Sequence, residues 1–104
     1  MKSLVLSAAA VFTFASGSSL AADAQELLKE KACLSCHTID KKLVGPAYKE
    51  VAAKYKSRKD AEAYLVKKIK EGSTGVWGPI PMPPNGTVDD NDAKTLAKYI
   101  LTIK

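Results

Sequence analysis

Residues 33–37 read Cys33-Leu34-Ser35-Cys36-His37, and the fold is organised around what these five residues hold. Two thiols three positions apart, at the end of a helical turn, can reach two vinyl groups along one side of a porphyrin and become thioethers. The histidine that follows then lies beneath the ring and can offer a nitrogen to iron. C-x-x-C-H is accordingly the attachment signature of c-type haem. Three other chemistries suit the same letters less well. A thioredoxin-like dithiol needs a βαβ setting and gains nothing from the histidine. A structural zinc site wants four ligands, whereas the chain has two cysteines and one histidine in all. A disulfide at this spacing closes a very small loop and contributes little.

The flanking sequence is helical. Asp23 followed by Glu26 is a capping-box-like start, and Leu27, Leu28 and Ala32 give a short apolar face, which predicts a helix over 24–32. Residues 38–46 form a loop ending in Gly45-Pro46. After it, Tyr48, Val51, Ala52 and Tyr55 follow the i, i+3, i+4, i+7 rule of an amphipathic helix. A third helix starts near Asp60, turns Ala61, Leu65 and Ile69 inward, places Lys67, Lys68 and Lys70 against its C-terminal dipole and ends at Gly72. Residues 72–86 cannot be helix, because Pro79, Pro81, Pro83, Pro84 and the glycines at 72, 75, 78 and 86 exclude it. Asp89 and Asp92 cap a last helix with Ala93, Leu96, Ala97, Ile100 and Ile103 on one stripe. No segment alternates with period two, so the fold class is all-α.

The N-terminus stands outside that pattern. Lys2 supplies a positive start, Leu4 to Ala15 an apolar run, and Ser19-Leu20-Ala21 the small residues of a cleavage site. Cutting after Ala22 or Ala24 fits the same pattern. The apolar run falls short of the about 20 residues that span a bilayer. The expected organisation is a cleaved signal peptide over 1–21 and one domain over 22–104. Its removal leaves 83 of the 104 residues and takes one basic residue, so the net charge falls from +5 to +4. With 26% charged and 46% hydrophobic residues, a disordered chain, a collagen-like fibre and a multi-span membrane protein are excluded. A domain this small gains from a cofactor that staples it. Export implies a periplasmic or extracellular setting, where thiols are oxidised or capped.

A low-spin haem iron needs a sixth ligand, and there is no second histidine. Met1 leaves with the signal, so Met82 is the one methionine of the domain. It stands in Ile80-Pro81-Met82-Pro83-Pro84-Asn85, where prolines lower the entropy of the loop and pre-set the sulfur. A methionine that merely fills a core sits on a helix face instead. His37/Met82 ligation raises the reduction potential and fills both axial positions, which leaves no open site for oxygen or peroxide. The remaining chemistry is one-electron shuttling between Fe(II) and Fe(III).

With these residues in view, the chain resembles the small bacterial class I cytochromes c of the c-551/c-552 type over essentially the whole mature domain. The resemblance rests on Cys33 to His37, Val44-Gly45-Pro46-Ala47-Tyr48, the run Gly75-Val76-Trp77-Gly78-Pro79-Ile80-Pro81-Met82-Pro83-Pro84-Asn85, and Thr95-Leu96-Ala97-Lys98-Tyr99. It implies four to five short helices wrapped around one covalently attached haem c. It also implies that Pro46 offers its carbonyl to the other nitrogen of His37, that Asn85 hydrogen-bonds near Met82, and that Trp77 donates its indole N–H to a haem propionate. Lys68 stands where a propionate-binding arginine is common, and can supply charge but not a bidentate fork. The Gly86-Thr87-Val88 connection is slightly longer than usual, and Tyr99 replaces a common tryptophan.

The implied activity is that of a soluble periplasmic monomer, an electron carrier and not an enzyme. Its electrons would come from a quinol-oxidising complex or another donor. They would go to a terminal reductase or oxidase such as nitrite reductase, a haem–copper oxidase or cytochrome c peroxidase. Lys31, Lys41, Lys42 and Lys68 are candidates to steer transient docking of redox proteins, although lysines spread along every helix also suit a plain solvated coat. Nucleic-acid binding has no recognition motif to support it. A haem enzyme or gas sensor with an open sixth position, and a dithiol oxidoreductase, are the competing classes.

Overall fold

The computed structural model describes residues 20–104. It contains four helices, α1 (Leu20–Glu30), α2 (Tyr48–Tyr55), α3 (Ala61–Glu71) and α4 (Asp90–Thr102), with a 3-10 turn at Cys33–Ser35. Among the described residues the only strand-like pairing is one antiparallel bridge between Ser73 and Met82. The all-α expectation therefore describes the observed architecture. Residues 1–19, where most of the expected signal lies, fall outside the described residues.

The helices form where their apolar periodicity places them. Tyr48, Val51, Ala52 and Tyr55 of α2 are all buried, as are Ala61, Leu65 and Ile69 of α3. On α4 the stripe Ala93, Leu96, Ala97 and Ile100 is buried, while Ile103 lies just past the helix end and is half-buried. α1, α2 and α3 pack principally on α4 rather than on one another. The core thus surrounds α4, with Leu28 from α1 and Val88 from the preceding loop packed beside Leu96.

Helix ends follow their capping chemistry with two exceptions. Asp89 is the N-cap of α4, its carboxylate accepting from the Asp92 N–H at 2.7 Å as a capping residue should. Gly72 closes α3 at φ 77°, in a region that only glycine enters freely. Asp60 precedes α3 but does not cap it, because both its carboxylate oxygens accept from Arg58 at 2.8 Å. α1 starts at Leu20 and ends at Glu30, rather than spanning 24–32. Leu20, Ala21 and Ala22 are sound helix formers, so Asp23 sits within the first turn, where its charge suits the dipole. Ala32 is no part of the apolar face. It takes the left-handed conformation, φ 57° and ψ 24°, and turns the chain out of the helix.

Candidate functional site

That left-handed turn sets up the Cys33–His37 segment. The Cys36 and His37 N–H groups both donate to the Cys33 carbonyl, at 3.2 and 3.0 Å. This tight turn leaves Cys33 and Cys36 half-buried and free, with no disulfide between them. Burial pushes the Cys33 thiol above its ordinary range, against a smaller opposing pull from a backbone hydrogen bond. Burial at Cys33 thus works against the reactive thiolate of a dithiol redox catalyst.

Both cysteines and His37 line a cavity of about 330 Å³. Met82 lines it too, as do Pro46, Lys68, Trp77 and Asn85. The structure thus brings every site residue read from the sequence to one open-sided cavity. Lys31 and Lys42 also reach this space, whereas Lys41 does not. Leu43, Val44 and Ile80 line the same cavity while remaining 52%, 47% and 62% exposed. Apolar side chains left in water around an apolar hollow fit a flat apolar group that would cover them.

His37 is held in a defined state. Its Nδ1 lies 2.8 Å from the Pro46 carbonyl oxygen. A carbonyl can only accept, so Nδ1 carries the proton and Nε2 keeps its lone pair. The approach depends on Gly45. A Cβ there would fall against the imidazole, closest to Cε1 and 2.8 Å from Nδ1. Tyr48 stacks on the same ring, with centroids 4.9 Å apart.

The Met82 loop is anchored at both ends. Ser73 and Met82 exchange backbone hydrogen bonds of 3.0 and 2.9 Å. Asn85 donates twice to the Ile69 carbonyl near the end of α3, from its backbone N–H at 3.1 Å and its side-chain Nδ2 at 3.0 Å. A weaker contact joins Nδ2 to the Pro83 carbonyl at 3.5 Å. Asn85 therefore pins the backbone next to Met82. Gly72 is required beneath this loop, since a Cβ would strike the Met82 carbonyl and come within 2.9 Å of Pro84 N.

An aromatic wall completes the space. Tyr55 and Tyr64 meet at 4.9 Å, and Tyr55 meets Trp77 edge-on at 6.2 Å. Cations lie on these rings. Arg58 is 4.2 Å from the Tyr64 centroid, Lys54 4.5 Å from Trp77, and Lys68 5.2 Å from Tyr64. Sequence reading did not single out Tyr48, Tyr55, Tyr64 or Gly45 as site residues. Helical spacing marks Tyr48 and Tyr55 only as core and leaves Tyr64 off the inward face of its helix, and nothing in a linear sequence says which ring faces the cavity.

The donor set is that of a haem c site: two free thiols, an imidazole with one nitrogen free, and a thioether sulfur around one apolar hollow. A family model described as cytochrome c matches residues 21–104. The chain belongs to the cytochrome c family. This cytochrome c is 53% identical over 100 residues to cytochrome c-551 of Pseudomonas aeruginosa, a match covering 96% of this chain and 95% of that protein. It is 57% identical over 79 residues to cytochrome c-552 of Nitrosomonas europaea, covering 76% of this chain and 77% of the relative. The crystal structure of wild-type Nitrosomonas europaea cytochrome c552 superposes with a TM-score of 0.76 at 56% identity, over 77% of this chain and 99% of that one. The fold is the class I cytochrome c fold. Like its relatives, this cytochrome c is a small electron carrier with one covalently bound haem c.

Proposed function

We propose that the chain is a periplasmic, monomeric one-electron carrier in which Cys33 and Cys36 hold haem c through thioethers and His37 and Met82 are the axial iron ligands. When bound, the haem supplies a single-electron Fe(II)/Fe(III) couple. The supporting observation is the convergence of both thiols, His37 and Met82 on one cavity. Pro46 fixes the imidazole tautomer so that Nε2 faces the metal, and its hydrogen bond raises the basicity of that nitrogen. Asn85 and the Ser73 bridge hold the sulfur in place, so little rearrangement accompanies a change of charge. Lys68 and Trp77 are the candidates for the propionates, Lys68 through charge and Trp77 through its indole N–H.

With His37 and Met82 both bound to it, the iron would have no open site for substrate, which would separate a carrier from an enzyme. The signal-like pattern of residues 1–21 supports export to the periplasm, and no described helix is long and apolar enough to cross a membrane. Redox proteins are the proposed partners, docking transiently where Leu43, Val44 and Ile80 border the cavity, with Lys31, Lys42 and Lys68 steering the encounter. Nitrite reductase, a haem–copper oxidase and cytochrome c peroxidase are candidate acceptors.

The deciding experiment is optical. A reduced-minus-oxidised pyridine haemochrome spectrum reports thioether-linked haem. Carbon monoxide added to the reduced protein should then bind slowly or not at all. Rapid CO binding by the wild-type protein would mean an open sixth position and would overturn the Met82 assignment.

A further inference from the structure

The Pro46 hydrogen bond fixes the tautomer of His37 and orients its ring. With Nε2 on a metal, the imidazole could still swing over part of the arc about the metal–nitrogen direction, because a hydrogen bond to a carbonyl tolerates a broad range of angles. A second constraint narrows that arc.

Tyr48 provides it. Its ring lies against the imidazole at an interplanar angle of 22°, with 4.9 Å between centroids, inside the range of an offset stack. Tyr48 is buried, so its side chain is not free to swing away. Its backbone is tied to the segment it stacks upon: the Tyr48 N–H donates to the Thr38 carbonyl at 2.9 Å, and the Lys49 N–H donates to the Ile39 carbonyl at 3.0 Å. Thr38 directly follows His37, so the platform and the ring it supports share one short frame. Gly45 closes the frame, since its backbone occupies the place where any side chain would push the imidazole out of position.

We propose that Tyr48 is a positioning residue for the axial imidazole, its flat face narrowing the plane of His37 that the Pro46 hydrogen bond sets. The inference rests on His37 being an iron ligand. The plane of an axial imidazole selects which iron π orbital is raised, and hence where the unpaired electron of the ferric state spreads over the porphyrin edge. Tyr48 would thus act on the direction in which the electron is offered, with no contact to the metal.

The test compares two variants of the haem-loaded protein. Tyr48→Phe keeps the face and Tyr48→Leu keeps apolar bulk without it. The ferric Phe variant should reproduce the wild-type order and spread of hyperfine-shifted haem methyl resonances. The Leu variant should reorder or contract that spread and change the ferric g-values. An unchanged pattern in a folded Leu variant overturns the proposal. Should the Leu variant not fold, reduced wild-type protein gives the answer through Overhauser contacts between the Tyr48 and His37 ring protons. Upfield, ring-current-shifted His37 protons without a Tyr48 contact would sink the stacking role alone. His37 protons lacking that shift would sink the ligand reading on which it rests.

Discussion

The two walls of the cavity are held by different means. On the cysteine side, everything that holds His37 lies within residues 32–48: a tight turn, the Pro46 carbonyl, the Gly45 approach and the Tyr48 ring. On the sulfur side, the run of prolines has no local structure of its own. Met82 is held through a bridge to Ser73 and through Asn85 reaching back to Ile69. A frame packed on buried residues such as Ala47 and Tyr48 is held by burial as well as hydrogen bonds, whereas a loop whose Pro81, Pro83 and Pro84 are exposed, held by a few hydrogen bonds alone, opens at lower free energy than the whole. The sulfur side should therefore be the one that yields, and the imidazole side the one that persists.

The largest test of this contrast removes the covalent anchor. A Cys33→Ala, Cys36→Ala double variant should retain no haem on a denaturing gel, which would confirm that the thiols, and not the loop, secure the cofactor. Next in size, Met82→Ala should leave haem attached yet lower the reduction potential and admit CO to the reduced protein. Axial ligands command a range of about 0.8 V, so the shift should be obvious in a potentiometric titration. An unchanged spectrum and potential would show that the sulfur is not the ligand.

Smaller changes probe the tethers themselves. Gly72→Ala forces a Cβ into the Met82 carbonyl at a positive φ, and should destabilise the protein by about 1–3 kcal/mol in urea unfolding. Its CO binding should also quicken. Asn85→Ala removes the side-chain bond to Ile69 and should weaken the fold by about 1 kcal/mol, with faster CO binding and no loss of attached haem. If either variant left CO access at the wild-type level, the sulfur side would be no looser than its counterpart. Ala32→Gly acts on the opposite wall. It relieves a left-handed alanine worth about 1–2 kcal/mol but adds unfolded-state entropy, and should stabilise by about 0.5 kcal/mol net without altering CO binding.

The smallest effect concerns the base of the Met82 loop, where Lys70 at the end of α3 pairs with Asp90 at the start of α4. Hydrogen bonding to Lys70 holds the Asp90 carboxyl below its usual range. A depressed folded-state value means that the stabilisation is present above the ordinary carboxylate pKa. It is lost as pH falls through the lower folded one. Melting scans at decreasing pH should show a slight decline in that acid window, reduced in Asp90→Asn and weakened by salt because the pair is exposed.

The same contrast explains what could be read from the sequence. Periodicity and capping speak of local structure, so the inward faces of α2, α3 and α4, the Gly72 stop and the Asp89 cap were all legible. C-x-x-C-H and the lone methionine in its proline run announced both walls of the cavity. What escaped was set by competition or by distance. Asp60 turned to Arg58 instead of capping α3, and Ala32 took a conformation usually left to glycine. The pairing of Tyr48 with His37 lies across a loop, where spacing carries no information about which rings will meet. Lys41 lies one residue from Lys42 yet stays off the cavity, a difference that no charge count could anticipate.

The position of α4 has a temporal corollary. It is the last of the described helices and the one on which the other three rest. A nascent polypeptide that lacks residues 90–104 has no surface on which to bury Leu28, Leu65 or Val51. The interior stays open until residues 90–104 join it, and both thiols remain within reach for as long as it does.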